Sequence, residues 1–278
     1  MNISEKQASL AELAIELRKL TLKSIYKAGS GHCGGALSAV EILTVLYFDK
    51  LNIDPSNPCW EDRDRFIASK GHCAPALYAS LAKRGFFPED ELHCLRKIGH
   101  FLQGHPDMKK VPGVDMSTGS LGLGLSVGIG MALAAKLDKK EYYTYVLLGC
   151  GEHQEGQVWE AAMTGAKYKL SNLIAIVDYN GVQLDGLNEE IMPLGDLQAK
   201  WQAFGWKTIA IDGHNITQIS NAIDQVKVAE DGPWVILANT VKGKGIDFME
   251  GKHEWHGKAM SLEDYVNAMS QLGEIVDA

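Results

Sequence analysis

The sequence is short of several things, and each shortfall argues against a class of protein. No stretch approaches ~18 uninterrupted apolar residues, the length a membrane-spanning helix needs. The opening MNISEKQASLAELAIELRKL has neither an apolar signal core nor a small-residue cleavage site, so a cytoplasmic protein is expected. Positive charge is in deficit: 27 lysines and arginines against 35 aspartates and glutamates, a net charge of −8. Non-specific nucleic-acid binding needs a basic footprint, and this chain has none. The five cysteines (Cys33, Cys59, Cys73, Cys94, Cys150) are odd in number and contain no C-x-x-C pair. That argues against a disulfide framework or a structural zinc site and makes reduced thiols the default. Proline numbers only 8, and there is no internal repeat, low-complexity tract or linker.

What is present is length and glycine. A chain of 278 residues, 46% hydrophobic, can bury a sizeable core, and 29 glycines suit tight strand-to-helix turns. Leu10, Leu13, Leu17 and Leu20 recur at helical spacing and predict an amphipathic first helix ending near AGSGHCGG at 28–35. Ser38 and Glu41 have the S-x-x-E spacing of a capping box before LSAVEILTVLYF. Strands are expected at RFIAS, YYTYVLLG, NLIAIVDYN, TIAID and WVILANT. Helices are expected at ALYASLAKRG, after the glycine-rich STGSLGLG, at QVWEAAMTGAKY, at about 196–204 and 215–229, and at SLEDYVNAMSQL. The alternation of strand and helix predicts an α/β fold, a mostly parallel sheet with helices on both faces. Gly124-x3-Gly128 suggests close helix packing, either within the core or at a subunit contact.

Ligands of such sheets sit at the carboxyl ends of strands, near helix N-termini. The strand ends of interest are Ser69-Lys70-Gly71-His72, Gly149-Cys150-Gly151, Asp178-Tyr179-Asn180-Gly181 and Lys242-Gly243. At the second of these a strand stops on Gly-x-Gly and a helix follows, and Asn180 ends another strand thirty residues beyond Cys150. Glycines there can admit phosphates to the backbone, and a cation can bridge phosphate oxygens to the Asn180 amide oxygen. The plain alternative is a pair of ordinary strand ends with glycine turns.

This segment resembles the thiamin-diphosphate signature, and QEGQVWEAAMTGAKYKLSNLIAIVDYNGVQLDG resembles the transketolase version of it. KAGSGHCGG, SKGHCAPALYA, GHPD, TGSLGLG and WHGKAM resemble further transketolase motifs in the same order, so the likeness covers nearly all of residues 5–260. The resemblance implies the thiamin-diphosphate-binding fold, with residues 1–278 forming one diphosphate-binding domain. It implies ketol transfer from a ketose, usually a phosphate, to an aldose, as in pentose-phosphate metabolism. A full transketolase is more than twice as long. The pyrimidine-binding and C-terminal domains are therefore expected on a partner chain, a C-terminal transketolase subunit, in an α2β2 assembly. That partner would carry the glutamate that activates the pyrimidine and most of the phosphate-binding residues, and this chain alone would be inactive.

By the same resemblance, His32 and His105 are expected at sugar hydroxyls, and His72 and His256 near the diphosphate and reaction centre. Gly119, Ser120, Leu121, Gly149, Gly151, Glu152, Asn180 and His72 are the expected cofactor contacts. Glu155 and Glu160 match acidic residues linking the two active sites of the dimer. Glu152 is expected in a first helical turn, where negative charge is favourable. A solvated acidic face is the alternative for all three glutamates. His93, His100, His153 and His214 match no motif, and His253 is ambiguous.

Two positions depart from the pattern. Leu123 stands where glutamine is expected. Cys150 stands where the family has a metal-binding aspartate, beside the other expected ligands, Asn180 and the Val182 carbonyl. Mg²⁺ and Ca²⁺, the ions expected, want oxygen, whereas a thiolate prefers softer metals. Three readings follow: a metal held without the aspartate, a softer ion, or a subunit that binds cofactor poorly and does not catalyse. A different thiamin-diphosphate enzyme, or one acting on a branched or sulfonated sugar, completes the alternatives.

Overall fold

The structure is a computed structural model and describes residues 3–229 and 231–276. Five strands form one parallel sheet: β1 (Arg65–Ala68), β2 (Thr144–Gly149), β3 (Leu173–Tyr179), β4 (Lys207–Asp212) and β5 (Trp234–Asn239), in the spatial order β1-β2-β3-β5-β4. All five lie where the apolar runs predict them. A strand covered on both faces reads as a continuous apolar run, as Val146-Leu147-Leu148 does in β2.

Alternate residues along each strand enter opposite cores. Tyr145, Leu147, Ile174 and Ile176 face one side. There they pack with α1 (Ile3–Ala28), α2 (Cys33–Leu37), α3 (Val40–Val45), α4 (Ala74–Arg84), α9 (Ile216–Val228) at the β4 edge, and α10 (Leu262–Gln271), whose Tyr265 stacks on Tyr26 of α1. Val146, Leu148, Ala175 and Val177 face the other, against α5 (Leu123–Asp138), α6 (Gly156–Lys167) and α8 (Leu197–Ala203). A one-turn helix, α7 (Asn188–Ile191), follows β3. Among the described residues no helix is long and apolar enough to cross a membrane.

Gly124 and Gly128 belong to the core. A Cβ on Gly124 would come 2.4 Å from Ser69 Oγ, and one on Gly128 would come 2.5 Å from Val146, so α5 lies directly on β1 and β2.

The capping box expected at Ser38 and Glu41 does not form. The helix there is broken into α2 and α3, and Ala39 precedes α3 with no side-chain cap. Ser38 Oγ instead donates to Asp178 Oδ2 at 2.6 Å, because a buried carboxylate is a stronger acceptor than any local backbone group. Glu41 points away to Arg18 and His214. A reciprocal box does form at Ser261 and Asp264, at the start of α10.

Candidate active site

The carboxyl ends of β1, β2, β3 and β5 surround a cavity of about 260 Å³, lined among others by Lys70, His72, Gly149, Asn180, Lys242 and His256. The sheet register sets these ends level: Gly149 pairs with Asp178, and Tyr179 with Asn239.

β2 stops at Gly149, and the chain turns tightly through residues 151–154 before α6 begins. Glu152 folds back beneath this turn. Its carboxylate accepts from the Gly149 N–H at 2.9 Å, the Gly122 N–H at 2.8 Å and the Ser69 hydroxyl, and burial raises its pKa. It lies in the first turn of the short helix over residues 151–154, as expected, but at 2% exposed it is no solvated acidic face. It ties the ends of β1 and β2 to the loop before α5. His153 lies under the same turn. Its Nδ1–H donates to the Gly149 carbonyl at 2.9 Å, and its Nε2 accepts from Trp201 at 3.2 Å. Glu155 is exposed at the cavity edge, while Glu160 is exposed further along α6; the fold does not bring Glu160 to the cavity.

Two buried ammonium groups face the cavity. Lys70 pairs with Asp178, whose carboxylate also accepts from Ser38 and Thr240. Burial opposes both charges, but their mutual attraction prevails: the lysine is raised and the aspartate lowered. Lys242 has no carboxylate. Its ammonium donates to the Gln183 carbonyl at 2.9 Å, the Val182 carbonyl at 3.3 Å and His256 Nδ1 at 3.0 Å. Burial and the charge of Lys70 lower it to about 8. A buried ammonium held only by neutral acceptors is matched by an incoming anion.

The four histidines of the motifs converge. The His32 ring centre lies 5.5 Å from that of His72, 6.3 Å from His105 and 5.2 Å from His256, and His72 lies 5.0 Å from His256. Burial first, and then neighbouring cations, keep them neutral: His32 is lowered to about 4, His256 to about 3, and His72 and His105 also fall. The hydrogen bonds fix two tautomers. Arg96 donates to His32 Nδ1 and Lys242 to His256 Nδ1, so both rings carry their proton on Nε2.

The glycine-rich loop spans two concavities. Leu121 lines the main cavity, while Gly119, Ser120 and Leu123 line a cleft of about 80 Å³. Gly119, at φ +153°, packs against His105, where a Cβ would come within 3.2 Å of the ring. Thr118 Oγ1, beside the smaller cleft, is buried without a partner. The glycine edges and the unmatched Lys242, which line one cavity, fit a diphosphate cofactor.

A hard divalent cation fits less well. Asn180 Oδ1 accepts from the Val182 N–H at 3.1 Å and faces Cys150 Sγ at 3.7 Å, and the Val182 carbonyl accepts from Lys242. The three expected ligands are thus together, but they offer two neutral oxygens and a thiol. The nearby carboxylates, Asp178 and Glu152, are already committed to other partners. Among the described residues no group of three His, Cys, Asp or Glu could hold a metal. The protein's own donors do not complete a hard-cation site.

Several site residues lie outside the expected set. Lys70 and Lys242 sit at strand ends that the sequence singles out, yet carry no assigned role there. His214 matches no motif, but it is a strut. Its Nε2 accepts from the Val241 N–H at 2.8 Å, and its Nδ1–H donates to Glu41 Oε2 at 3.0 Å. Arg18 joins Glu41 at 2.5 Å and the Lys244 carbonyl at 2.9 Å, so the loop carrying Lys242 is held from both sides. His93, His100 and His253 do not join the cluster.

Parallel strand ends that present an unmatched ammonium to a glycine-edged hollow define an anion-binding α/β domain of the diphosphate-cofactor type. The family model described as transketolase, thiamine diphosphate binding domain, matches residues 10–275, and the chain belongs to that family. It is 48% identical over 270 residues to the 6-deoxy-6-sulfo-D-fructose transketolase subunit SqwG of Clostridium sp. (strain MSTE9), covering 97% of this chain and 98% of that one. It is 43% identical to an apulose-4-phosphate transketolase subunit of Phocaeicola vulgatus, covering 94% of this chain and 92% of that one. The transketolase of Pichia stipitis in complex with sedoheptulose-7-phosphate superposes with a TM-score of 0.91 at 31% identity, covering 96% of this chain. This chain spans 41% of that one.

Proposed function

We propose that this chain is the thiamin-diphosphate-binding subunit of a two-chain transketolase, with residues 1–278 as a single diphosphate-binding domain. The observation that carries the reading is the convergence of His32, His72, His105 and His256 beside the Lys242 ammonium. One end of such a site takes a diphosphate and the other takes hydroxyls.

Bound thiamin diphosphate supplies nucleophilic-carbon chemistry for carbon–carbon bond cleavage. The chain's residues prepare the place for it. Gly149 and Gly151 admit the diphosphate to the backbone, and Glu152 holds the turn that carries them. Lys242 supplies positive charge. Gly119, Ser120 and Leu121 border the pyrimidine end. Asn180 offers its amide oxygen to the diphosphate end, and His72 lies between the diphosphate and the sugar. His32, His105 and His256 meet sugar hydroxyls as neutral imidazoles, able to donate or accept without a charge penalty. Glu155, just before α6, and Glu160, within it, are exposed, and there they would meet a second copy.

A divalent cation would have the Asn180 and Val182 oxygens, the diphosphate oxygens and water as its ligands, with Cys150 adding nothing hard. The partner is a separate C-terminal transketolase subunit in an α2β2 assembly. The relatives named as subunits support this, as do Leu121 and Leu184, apolar side chains exposed at the cavity. The donor is a ketose with a terminal anion, phosphate or sulfonate, and the names of the nearby relatives favour an unusual one.

The test is turnover by the assembled pair with xylulose 5-phosphate, apulose 4-phosphate and 6-deoxy-6-sulfofructose as donors. A clear preference by kcat/KM names the substrate class. Absence of transfer from every donor, together with no thiamin diphosphate binding, would favour the second reading that Cys150 supports, a non-catalytic subunit.

A further inference from the structure

Arg96 is absent from every motif, yet its backbone and side chain are both unusual. Its φ is +60°, a left-handed conformation that few residues other than glycine, asparagine and aspartate adopt. The turn is held by the Arg96 N–H on the Leu102 carbonyl at 2.7 Å. It sends the guanidinium across to the Ser-Gly-His loop, where Nη1 donates to Ser30 Oγ at 3.2 Å and Nη2 to His32 Nδ1 at 3.3 Å. The Nε atom is buried with no partner.

Room for this crossing is kept by Gly104. A Cβ there would come 3.0 Å from Nε, 3.1 Å from Nη2 and 3.2 Å from Cζ of Arg96. His105 is the next residue, so the guanidinium that is bonded to the His32 loop packs against the loop carrying His105. A planar fork can hold two acceptors at fixed directions, which an ammonium cannot.

We propose that Arg96 is a positioning residue of the sugar-binding site: its guanidinium fixes His32 as the Nε2–H tautomer and sets that ring beside His105, with Gly104 reserving the space. The inference rests on the reading of these histidines as sugar contacts. The charges agree with it. His32 faces Arg96, Lys242 and Lys70 and the imidazoles of His72, His105 and His256, and its largest electrostatic influences all favour the neutral ring. Burial and then Arg96 are the largest causes that keep both His32 and His105 neutral.

The test is histidine-ring NMR on the assembled complex, with only this chain isotope-labelled and the His32 signals assigned from their loss in His32→Asn. In the unaltered enzyme His32 should show one tautomer and a midpoint near 4. In Arg96→Met it should show mixed tautomers and a midpoint moved toward the ordinary 6.5. Arg96→Lys should keep the low midpoint but mix the tautomers. Gly104→Ala leaves the arginine in the sequence, shifts its guanidinium by a few tenths of an ångström, and should mix the His32 tautomers while moving the midpoint less than Arg96→Met does. It decides the matter if Arg96→Met fails to assemble. Donor kcat/KM should fall by about a hundredfold, as a displacement of ~1 Å can cause, while thiamin diphosphate affinity stays within about twofold. An unchanged His32 tautomer and midpoint in both Arg96→Met and Gly104→Ala would overturn the proposal. The NMR readout needs no turnover, so an inactive pair in which His32 still answers to Arg96 would count against the transketolase reading alone.

Discussion

Lys242 sets its ammonium 3.3 Å from the carbonyl oxygen of Val182, the atom that the sequence nominates as a metal ligand. A fixed positive charge therefore shares a ligand with the expected divalent ion, while the anionic ligand that would favour that ion is replaced by the Cys150 thiol. Both features weaken the case for tight Mg²⁺ binding and leave the case for diphosphate binding intact.

The first prediction restores the missing oxygen. Cys150→Asp in the assembled enzyme should raise Mg²⁺ affinity in the presence of thiamin diphosphate by at least ~10-fold, the lower end of the range seen when only a ligand's supporting partner is lost. Calorimetric titration of Mg²⁺ into each enzyme with its cofactor measures it. Equal affinities would show that residue 150 lies outside the metal's coordination.

A second prediction concerns the Lys70–Asp178 pair. Both side chains are almost fully buried, and Asp178 also satisfies Ser38 and Thr240. Removing one partner of such a pair typically costs ~3–5 kcal/mol, because a buried charge is left uncompensated. Lys70→Met should therefore lower the Tm of the assembled enzyme markedly. Lys70→Met with Asp178→Leu should recover part of the loss. A double variant no more stable than Lys70→Met would mean that the Asp178 hydrogen bonds, not the ion pair, hold this junction.

His214 should act on the site from a distance. It touches Glu41 and the Val241 N–H, not the cavity. His214→Ala frees the loop of Lys242 and should weaken thiamin diphosphate binding by about tenfold, the equivalent of one ordinary hydrogen bond of ~1 kcal/mol or a little more. His214→Asn, which can still donate and accept, should recover some affinity. Unchanged affinity in His214→Ala would show that the loop is held well enough by Arg18 alone.

The strands and the four histidines are legible in the sequence for local reasons. Parallel strands buried on both faces are continuous apolar runs, and a polar or glycine residue at their ends is conspicuous. Residues that act through distant partners leave no such trace. Ser38 reads locally as a cap, but its partner, Asp178, is 140 residues away. Arg96 lies 64 residues from His32, and Arg18 is 226 residues from Lys244, so neither support shows in any window of sequence. Glu152 reads as one of three acidic residues opening a helix. Only the packing of β1 against the loop before α5 reveals it as the buried carboxylate among them.

The last prediction follows from the histidine charges. His32 and His256 are held near 4 and 3 in the native state, against 6.5 when unconstrained. Between those limits the unfolded chain binds more protons than the folded one, so stability is complete above about pH 6.5 and falls as the pH is lowered. Buried carboxyls that are raised, such as Glu152, work in the opposite direction, so the total slope alone cannot isolate the histidines. The comparison that does is the Tm of the assembled enzyme against that of His32→Asn/His256→Asn, followed from pH 7.5 to pH 5. The unaltered enzyme should lose more Tm over that range than the double variant, because only it must keep two imidazoles uncharged beside Arg96 and Lys242. Parallel curves would mean that these rings accept protons in the folded state as readily as in the unfolded one. They would then enter the site as cations at low pH and lose their role as neutral hydroxyl partners.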